Sequence, residues 1–238
     1  MKKLFFLFTI VSFGLPVWAQ KKKDISNISH RAADHFVIQL ATDHWLNMPD
    51  SIKSGKGGFS RGANIYFMFD KQFKGVRKLS VAAGLGVSTS NIYFKKMAVD
   101  ITSTEATLPF VDLNGKNYFK KYKLATSYLE VPIELRFMDK PDQPNKAIKV
   151  ALGIKVGTML KAQTKGKQLR DADGAIIKDY IEKQSSKTFF NTTRFSGTAR
   201  LNYGIYGVFA SYSFTSLFKD GVAAEIHPLQ VGISISGL

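Results

Sequence analysis

The strongest constraint on the fold is a ten-residue stretch, residues 128–137, in which polar and apolar side chains alternate without a break. One face consists of Leu129, Val131, Ile133, Leu135 and Phe137; the other consists of Tyr128, Glu130, Pro132, Glu134 and Arg136. Successive side chains of a β-strand point to opposite sides, so this pattern predicts a strand with one apolar and one charged face. A tilted strand of about 9–11 residues crosses a membrane. If the apolar face meets lipid, the charged face must line a polar barrel interior.

Seven further segments alternate in the same way. They cover about residues 35–44, 59–69, 79–93, 147–162, 188–202, 205–214 and 227–238, and the central strand extends back to about residue 123. The connections alternate between long and short, and residues 95–121 and 163–187 are predicted to be long polar loops. Outer-membrane barrels have short periplasmic turns and long outer loops. The predicted fold is therefore all-β: a single eight-stranded antiparallel up-and-down transmembrane β-barrel of the smallest outer-membrane size.

The N-terminus has the features of an export signal. A basic start (Met1, Lys2, Lys3) precedes an apolar run and the small residue Ala19, which predicts a signal peptide over residues 1–19. Residues 20–34 are polar and are expected to form a flexible N-terminal segment. The barrel domain is assigned to residues 35–238. The chain contains no cysteine, which excludes disulfides, thiol chemistry and a lipoprotein anchor.

The formal net charge of +16 limits the choice of partners. Basic proteins often bind nucleic acid, but export argues against it and leaves the outer-membrane lipid, lipopolysaccharide phosphates and the barrel insertion machinery as expected partners. The cations expected in the long loops are Lys95, Lys96, Lys116, Lys120, Lys121, Lys161, Lys165, Lys167 and Arg170. A solvated hydrophilic rim, in which interleaved acids dilute this charge, is the alternative.

The candidate site is a network of charges inside the barrel. Glu130, Glu134 and Arg136 on the fourth strand are predicted to face Lys149 and Lys155 on the fifth. Such charges need partners, because an unpaired buried charge is costly. The network is either a polar pathway for ions or a small solute, or a set of structural ion pairs that fills a narrow lumen; the small interior of eight strands favours the second.

No motif for catalysis or for a cofactor is present. The sequence lacks His-x-x-x-His, Gly-x-Ser-x-Gly and phosphate-loop patterns, so neither an enzyme, a metal nor a cofactor is predicted. A lipid-acting enzyme that combines His44 or His227 with a loop serine is the remaining alternative. Two local features carry expectations: Trp45 as an interface aromatic, and a bulge or a water-satisfied carbonyl at Pro132, which has no N–H to donate.

Two stretches resemble a known family. Residues 128–135 (YLEVPIEL) and 82–88 (AAGLGVS) are similar to the fourth and third strands of the PorT-like outer-membrane β-barrel family. The resemblance implies a location in the bacterial cell outer membrane, and an association with protein secretion for the member that gives the family its name. The residue pattern leaves two functions open: a closed non-porin barrel with a structural or surface-interaction role carried by its long loops, or a soluble exported lipocalin-like ligand-binding barrel. The lipocalin-like barrel requires the apolar faces to point inward. The resemblance implies a third, an accessory component of a protein secretion system.

Overall fold

The computed structural model describes residues 35–237, so the predicted signal peptide, the 20–34 segment and Leu238 lie outside the described residues. The described part forms strands β1 (Phe36–Leu46), β2 (Arg61–Phe73), β3 (Val76–Phe94), β4 (Met97–Val99), β5 (Phe110–Asp112), β6 (Tyr118–Met138), β7 (Ile148–Arg170), β8 (Ile176–Ser185), β9 (Thr193–Tyr203), β10 (Tyr206–Ser213) and β11 (His227–Ser236). A single helical turn, α1 (Asp50–Lys53), and a 3₁₀ turn (Pro144–Lys146) complete the regular structure.

Eight of these strands close into a barrel, as the sequence predicts. The order around the barrel is β1, β2, β3, β6, β7, β9, β10 and β11, and all neighbours are antiparallel. Closure comes from β1 and β11, where Leu40 lies opposite Ile233. A closed sheet pairs the backbone groups of every spanning strand, which hydrocarbon requires because it contains no water to satisfy them.

The barrel is apolar outside and polar inside. Side chains such as Ile65, Leu135 and Ile233 are more than half exposed, whereas Asn64 and Glu130 are almost completely buried. We call the outward aliphatic and aromatic side chains of the eight barrel strands the apolar belt. The lipocalin-like alternative, which needs the reverse arrangement, is wrong. Among residues 35–237 no helix is both long and apolar enough to cross a membrane.

The two ends of the barrel differ. The short-turn end carries residues 74–75, 139–147 and 204–205, and the long-loop end carries residues 47–60, 95–117, 171–192 and 214–226. Strands β6 and β7 contain 21 and 23 residues, about twice what a tilted strand needs to cross a membrane, and they continue past the belt at the long-loop end.

The prediction of a polar loop over residues 163–187 is wrong. The outer part of β7 forms a hairpin with β8, in which Gln163 lies opposite Ser185 and Lys165 opposite Lys183. Above the belt a strand faces water on one or both sides, so its side chains do not alternate between apolar and polar and the pattern of hydrophobicity disappears. The loop predicted over residues 95–121 is a long connection over residues 95–117. It differs from the prediction in that it contains the β4–β5 hairpin and that β6 already begins at Tyr118.

The bulge predicted at Pro132 is also absent from that position. Ile133 opposite Ala83 and Glu130 opposite Gly86 keep one register on both sides of the proline. The proline therefore removes one ladder donor without shifting the strand. A bulge is present instead in the pairing of β6 with β7. It lies between Ser127 and Tyr128, where Leu160 is the additional residue of β7.

Candidate functional site

The carboxylate of Glu130, on β6, is the centre of a buried cluster in the lumen. Its Oε2 accepts a hydrogen bond from the Tyr66 hydroxyl at 2.5 Å and lies 3.4 Å from the Lys155 ammonium. Its Oε1 accepts two hydrogen bonds from the Arg194 guanidinium, of which the Nε bond is 3.0 Å long. Arg194 also donates to the Ser88 hydroxyl at 3.0 Å. Both carboxylate oxygens are therefore satisfied, as a charge removed from water requires.

Aromatic rings supplement these ion pairs. The guanidinium carbon of Arg194 lies 3.8 Å from the centre of the Tyr128 ring, and the Lys155 nitrogen lies 5.6 Å from that of Tyr66. A cation over an aromatic face is attracted by the negative potential of the ring, more strongly where water is excluded. Both cations of the cluster thus have a carboxylate and a ring as partners.

A second cluster lies nearer the short-turn end. Glu134 Oε2 accepts hydrogen bonds from Arg136 at 2.9 Å and from Arg200 at 2.8 Å. Beside it is a cavity of about 20 Å³ lined in part by Asp70, Ser80, Arg136, Lys149 and Arg200. This volume accommodates about one water molecule, and the polar lining provides the partners that such a water needs.

All five sequence-predicted charges lie inside the barrel and are buried: Glu130, Glu134, Arg136, Lys149 and Lys155. The structure brings Glu130 together with Lys155 and Glu134 together with Arg136. Lys149 lines the small cavity. The sequence predicted that all of these charges pair between β6 and β7. In the structure, part of the pairing comes instead from two arginines on β9, Arg194 and Arg200, which were not predicted. The signal that could have identified these arginines is their parity: they occupy even-numbered positions of β9, as do the inward-facing Ser196 and Asn202.

A hydrophobic core closes the lumen above the charges, at the long-loop end. We call it the cap. Trp45 packs with ring centroids 5.8 Å from Phe94 and 5.8 Å from Phe218, and Phe218 lies 5.3 Å from Phe190. The four long connections all contribute: Ile52, Met97, Val99, Ile101, Leu108, Phe189, Phe190, Leu217, Phe218 and Ile226.

Trp45 is therefore not an interface aromatic. Its side chain is only 6% exposed, because it occupies an odd-numbered position of β1 and points inward, as the side chains of Val37 and Asp43 do. Above the level of the membrane the inward face becomes apolar, since the loops there supply a core for it to pack against.

The histidines make ordinary polar contacts. His44 lies 3.0 Å from the Thr42 hydroxyl, and the ring nitrogens of His227 lie 3.0 Å from the Ser213 carbonyl and 3.2 Å from Glu225. None of these contacts is to a serine hydroxyl, as the lipid-acting alternative needs. Within the described range, no group of three or more histidine and acidic side chains is arranged to hold a metal ion.

Comparison with known proteins adds two findings. The model of the family described as "Outer membrane protein beta-barrel domain" matches residues 18–219. Among solved structures, the chain is similar to Ail, the attachment invasion locus protein of Yersinia pestis, crystallised in complex with the heparin analogue sucrose octasulfate. The identity is 13% and the TM-score 0.33, over 84% of this chain and 96% of Ail. No significant match was found among curated proteins.

Proposed function

The chain belongs to the family of outer membrane protein β-barrel domains, and from this premise we propose that it is a closed, non-porin barrel whose role is carried by the surface of its long loops. Its location is the bacterial outer membrane. The observation that carries the proposal is the filling of the lumen at two successive levels.

The lower level is the charge network. Arg194 on β9 contacts both Glu130 on β6 and Ser88 on β3, so its side chain crosses the lumen past β7, which separates β9 from the neighbouring strands β6 and β3. Eight strands enclose an interior that side chains just fill. A structural network of ion pairs, rather than a path for ions, is the role that this packing supports.

The upper level is the cap. Its side chains come from all four long connections and bury Phe190 and Phe218 almost completely. An ion that entered from this end would have to cross an apolar core, which strongly disfavours charge. The cap also holds the loops together, so that they present a fixed outer surface.

The β7–β8 hairpin supports a surface role. β8 pairs with β7 on one side only, and Ile176, Ile177 and Ile181 are at least half exposed. Exposed apolar side chains on an unpaired strand edge are features of protein-binding surfaces. The role as a secretion-system accessory, and with it the finer PorT-like assignment, stays a prediction that a partner at this hairpin would support.

Conductance in planar lipid bilayers tests the proposal. Refolded protein, with folding verified by a change in gel mobility on boiling, is expected to give no discrete channel openings under conditions in which a porin conducts. Stable, repeatable single-channel steps from the folded wild-type protein would contradict it.

A further inference from the structure

The outer wall of the barrel changes character just above the apolar belt. On β2, β3, β6 and β7 the outward side chains form rows that run across the strands, because cross-strand partners share a face. On these four strands, the two rows directly above the belt are Ala63–Thr89–Ser127–Lys161 and Arg61–Asn91–Ala125–Gln163. Small and polar residues here replace the aliphatic side chains below.

Lysine and arginine accumulate on this wall without any acid. The outward cations are Arg61, Lys121, Lys123, Lys161, Lys165, Lys167 and Lys183. None of the outward positions from 61 to 63, 89 to 93, 121 to 127, 161 to 167 and 181 to 185 is Asp or Glu. We call this surface the basic wall.

The other half of the barrel lacks such a surface. The outward positions of β1, β9, β10 and β11 contain no lysine or arginine, and at the long-loop end they include Thr42, His44, Phe195 and Tyr212. A rim that only improves solubility would be charged all the way round. The one-sided, acid-free distribution instead indicates a specific anionic partner.

Two of the cations converge on one ring. The Arg61 guanidinium carbon lies 5.6 Å and the Lys123 nitrogen 5.7 Å from the centre of Tyr93. Lys123 donates to the Asn91 amide oxygen at 2.6 Å, and the Asn91 amide nitrogen donates to the Arg61 carbonyl at 3.1 Å. Both positive charges thus lie within 6 Å of one ring, and none of these contacts is to a carboxylate. Such an arrangement suits an anion with several oxygens.

An open groove of about 580 Å³ adjoins this pair. Arg61, Tyr93 and Lys123 line one part of it, and Leu40 and Ile233, which belong to the apolar belt, line another. The groove therefore has a positively charged part next to an apolar part. This arrangement matches a lipid with a phosphorylated headgroup and apolar acyl chains.

The position of the basic wall along the membrane normal matches the level of lipid headgroups. From Leu129 to Phe137 the strand covers about 27 Å, and a tilt of about 40° reduces the height to about 21 Å, close to the apolar band of about 25 Å in such barrels. The row that contains Thr89 and Ser127 lies immediately above and so falls at headgroup level. In an outer-membrane barrel the long loops mark the outer face.

We propose that the basic wall binds the phosphate groups of an anionic glycolipid in the outer leaflet, with Arg61 and Lys123 around Tyr93 holding one phosphate. Arg61 supplies paired N–H donors and Lys123 a point charge. The acyl chains of the lipid lie along Leu40 and Ile233. This inference goes beyond the closed-barrel proposal and does not depend on it.

The test uses the full-length folded protein in phosphatidylcholine nanodiscs, titrated with fluorescent lipid A that carries its phosphates or has been dephosphorylated. The variant Arg61→Gln/Lys123→Gln is expected to bind phosphorylated lipid A at least about tenfold more weakly than the wild type. The matched control, Lys53→Gln/Lys219→Gln, removes the same charge from exposed positions in the long connections that do not belong to the wall. It is expected to bind as the wild type does. Unchanged mobility of unboiled protein shows that both variants fold.

Several results would overturn the proposal. These are an equal loss of binding in both variants, equal binding of the dephosphorylated lipid, or no loss in the wall variant. Competition by inorganic phosphate or by dextran sulfate at concentrations near that of the lipid would also refute it, because the site would then recognise a free anion or a soluble polyanion.

Discussion

The side chains of Glu130 and Arg194 meet inside the lumen although they lie 64 residues apart in the chain, and Arg194 Nε donates to Glu130 Oε1 at 3.0 Å. Both side chains are at least 92% buried. The pair ties β6 to β9 across the intervening strand β7. A buried ion pair contributes little relative to an apolar pair of the same shape, but removal of one partner leaves an uncompensated charge.

Glu130→Gln is therefore expected to lower the free energy of unfolding by about 3–5 kcal/mol, because Arg194 and Lys155 both lose their counter-ion. Urea titration of the protein in lipid vesicles, followed by tryptophan fluorescence, measures the change. Glu105→Gln, at an exposed loop position, is the control and should leave the transition within about 0.5 kcal/mol. Similar destabilisation by both variants would show that Glu130 has no special place in the barrel.

The second cluster predicts a measurable coupling between Glu134 and Arg200. A double-mutant cycle of Glu134→Gln and Arg200→Met should give a coupling free energy of about 1–3 kcal/mol, because their 2.8 Å contact is shielded from water. The exposed ion pair of Arg77 and Asp142 is the matched comparison, expected to couple by less than about 1 kcal/mol. The prediction fails if the two cycles give equal values.

The apolar belt predicts that the loss of stability caused by an introduced charge depends on the depth of that charge in the membrane. Ile133, midway along the apolar face of β6, is exposed on the outside of the barrel, and Leu129 lies at the edge of that face on the same strand. Ile133→Arg should cost about 2–4 kcal/mol in lipid vesicles, and Leu129→Arg about 0–1 kcal/mol. Equal costs at both depths, measured by the same urea titration, would be inconsistent with a lipid-facing strand.

A substitution inside the cap is expected to destabilise the long loops and to leave the barrel folded. Phe218 is almost completely buried and contacts Trp45, Phe110 and Phe190. Phe218→Ala should destabilise the cap by about 3–5 kcal/mol, so that protease added outside cleaves the long loops faster while the barrel keeps its gel mobility. Phe59→Ala, which removes a largely exposed ring, is the control. Loss of the folded barrel in the Phe218 variant would mean that cap and barrel unfold as one unit.

The eight spanning strands could be predicted because lipid imposes an apolar outer face on every one of them. In Leu129 to Phe137 this constraint produces a two-residue period that no turn interrupts. Beyond the membrane the constraint ends. Strand β8, with Lys178, Asp179, Glu182 and Lys183, faces water on much of its surface and therefore has no such period.

The partners inside the lumen were harder to predict. The inward position of Arg200 follows from its parity, but its contact with Glu134 depends on which strands lie near each other in the closed barrel. The cap depends even more on distant contacts, because Trp45, Phe110, Phe190 and Phe218 come from different parts of the chain. No local pattern identifies a loop aromatic as buried.

A cysteine scan of residues 128–137 tests most directly whether the apolar face meets lipid and the charged face lines the lumen. The chain has no cysteine, so each single-cysteine variant reports one position. In lipid vesicles, odd-numbered positions from 129 to 137 should react with a membrane-confined maleimide, and even-numbered positions should be protected from it. Labelling of the even positions, or labelling without a two-residue period, would contradict the proposed barrel orientation.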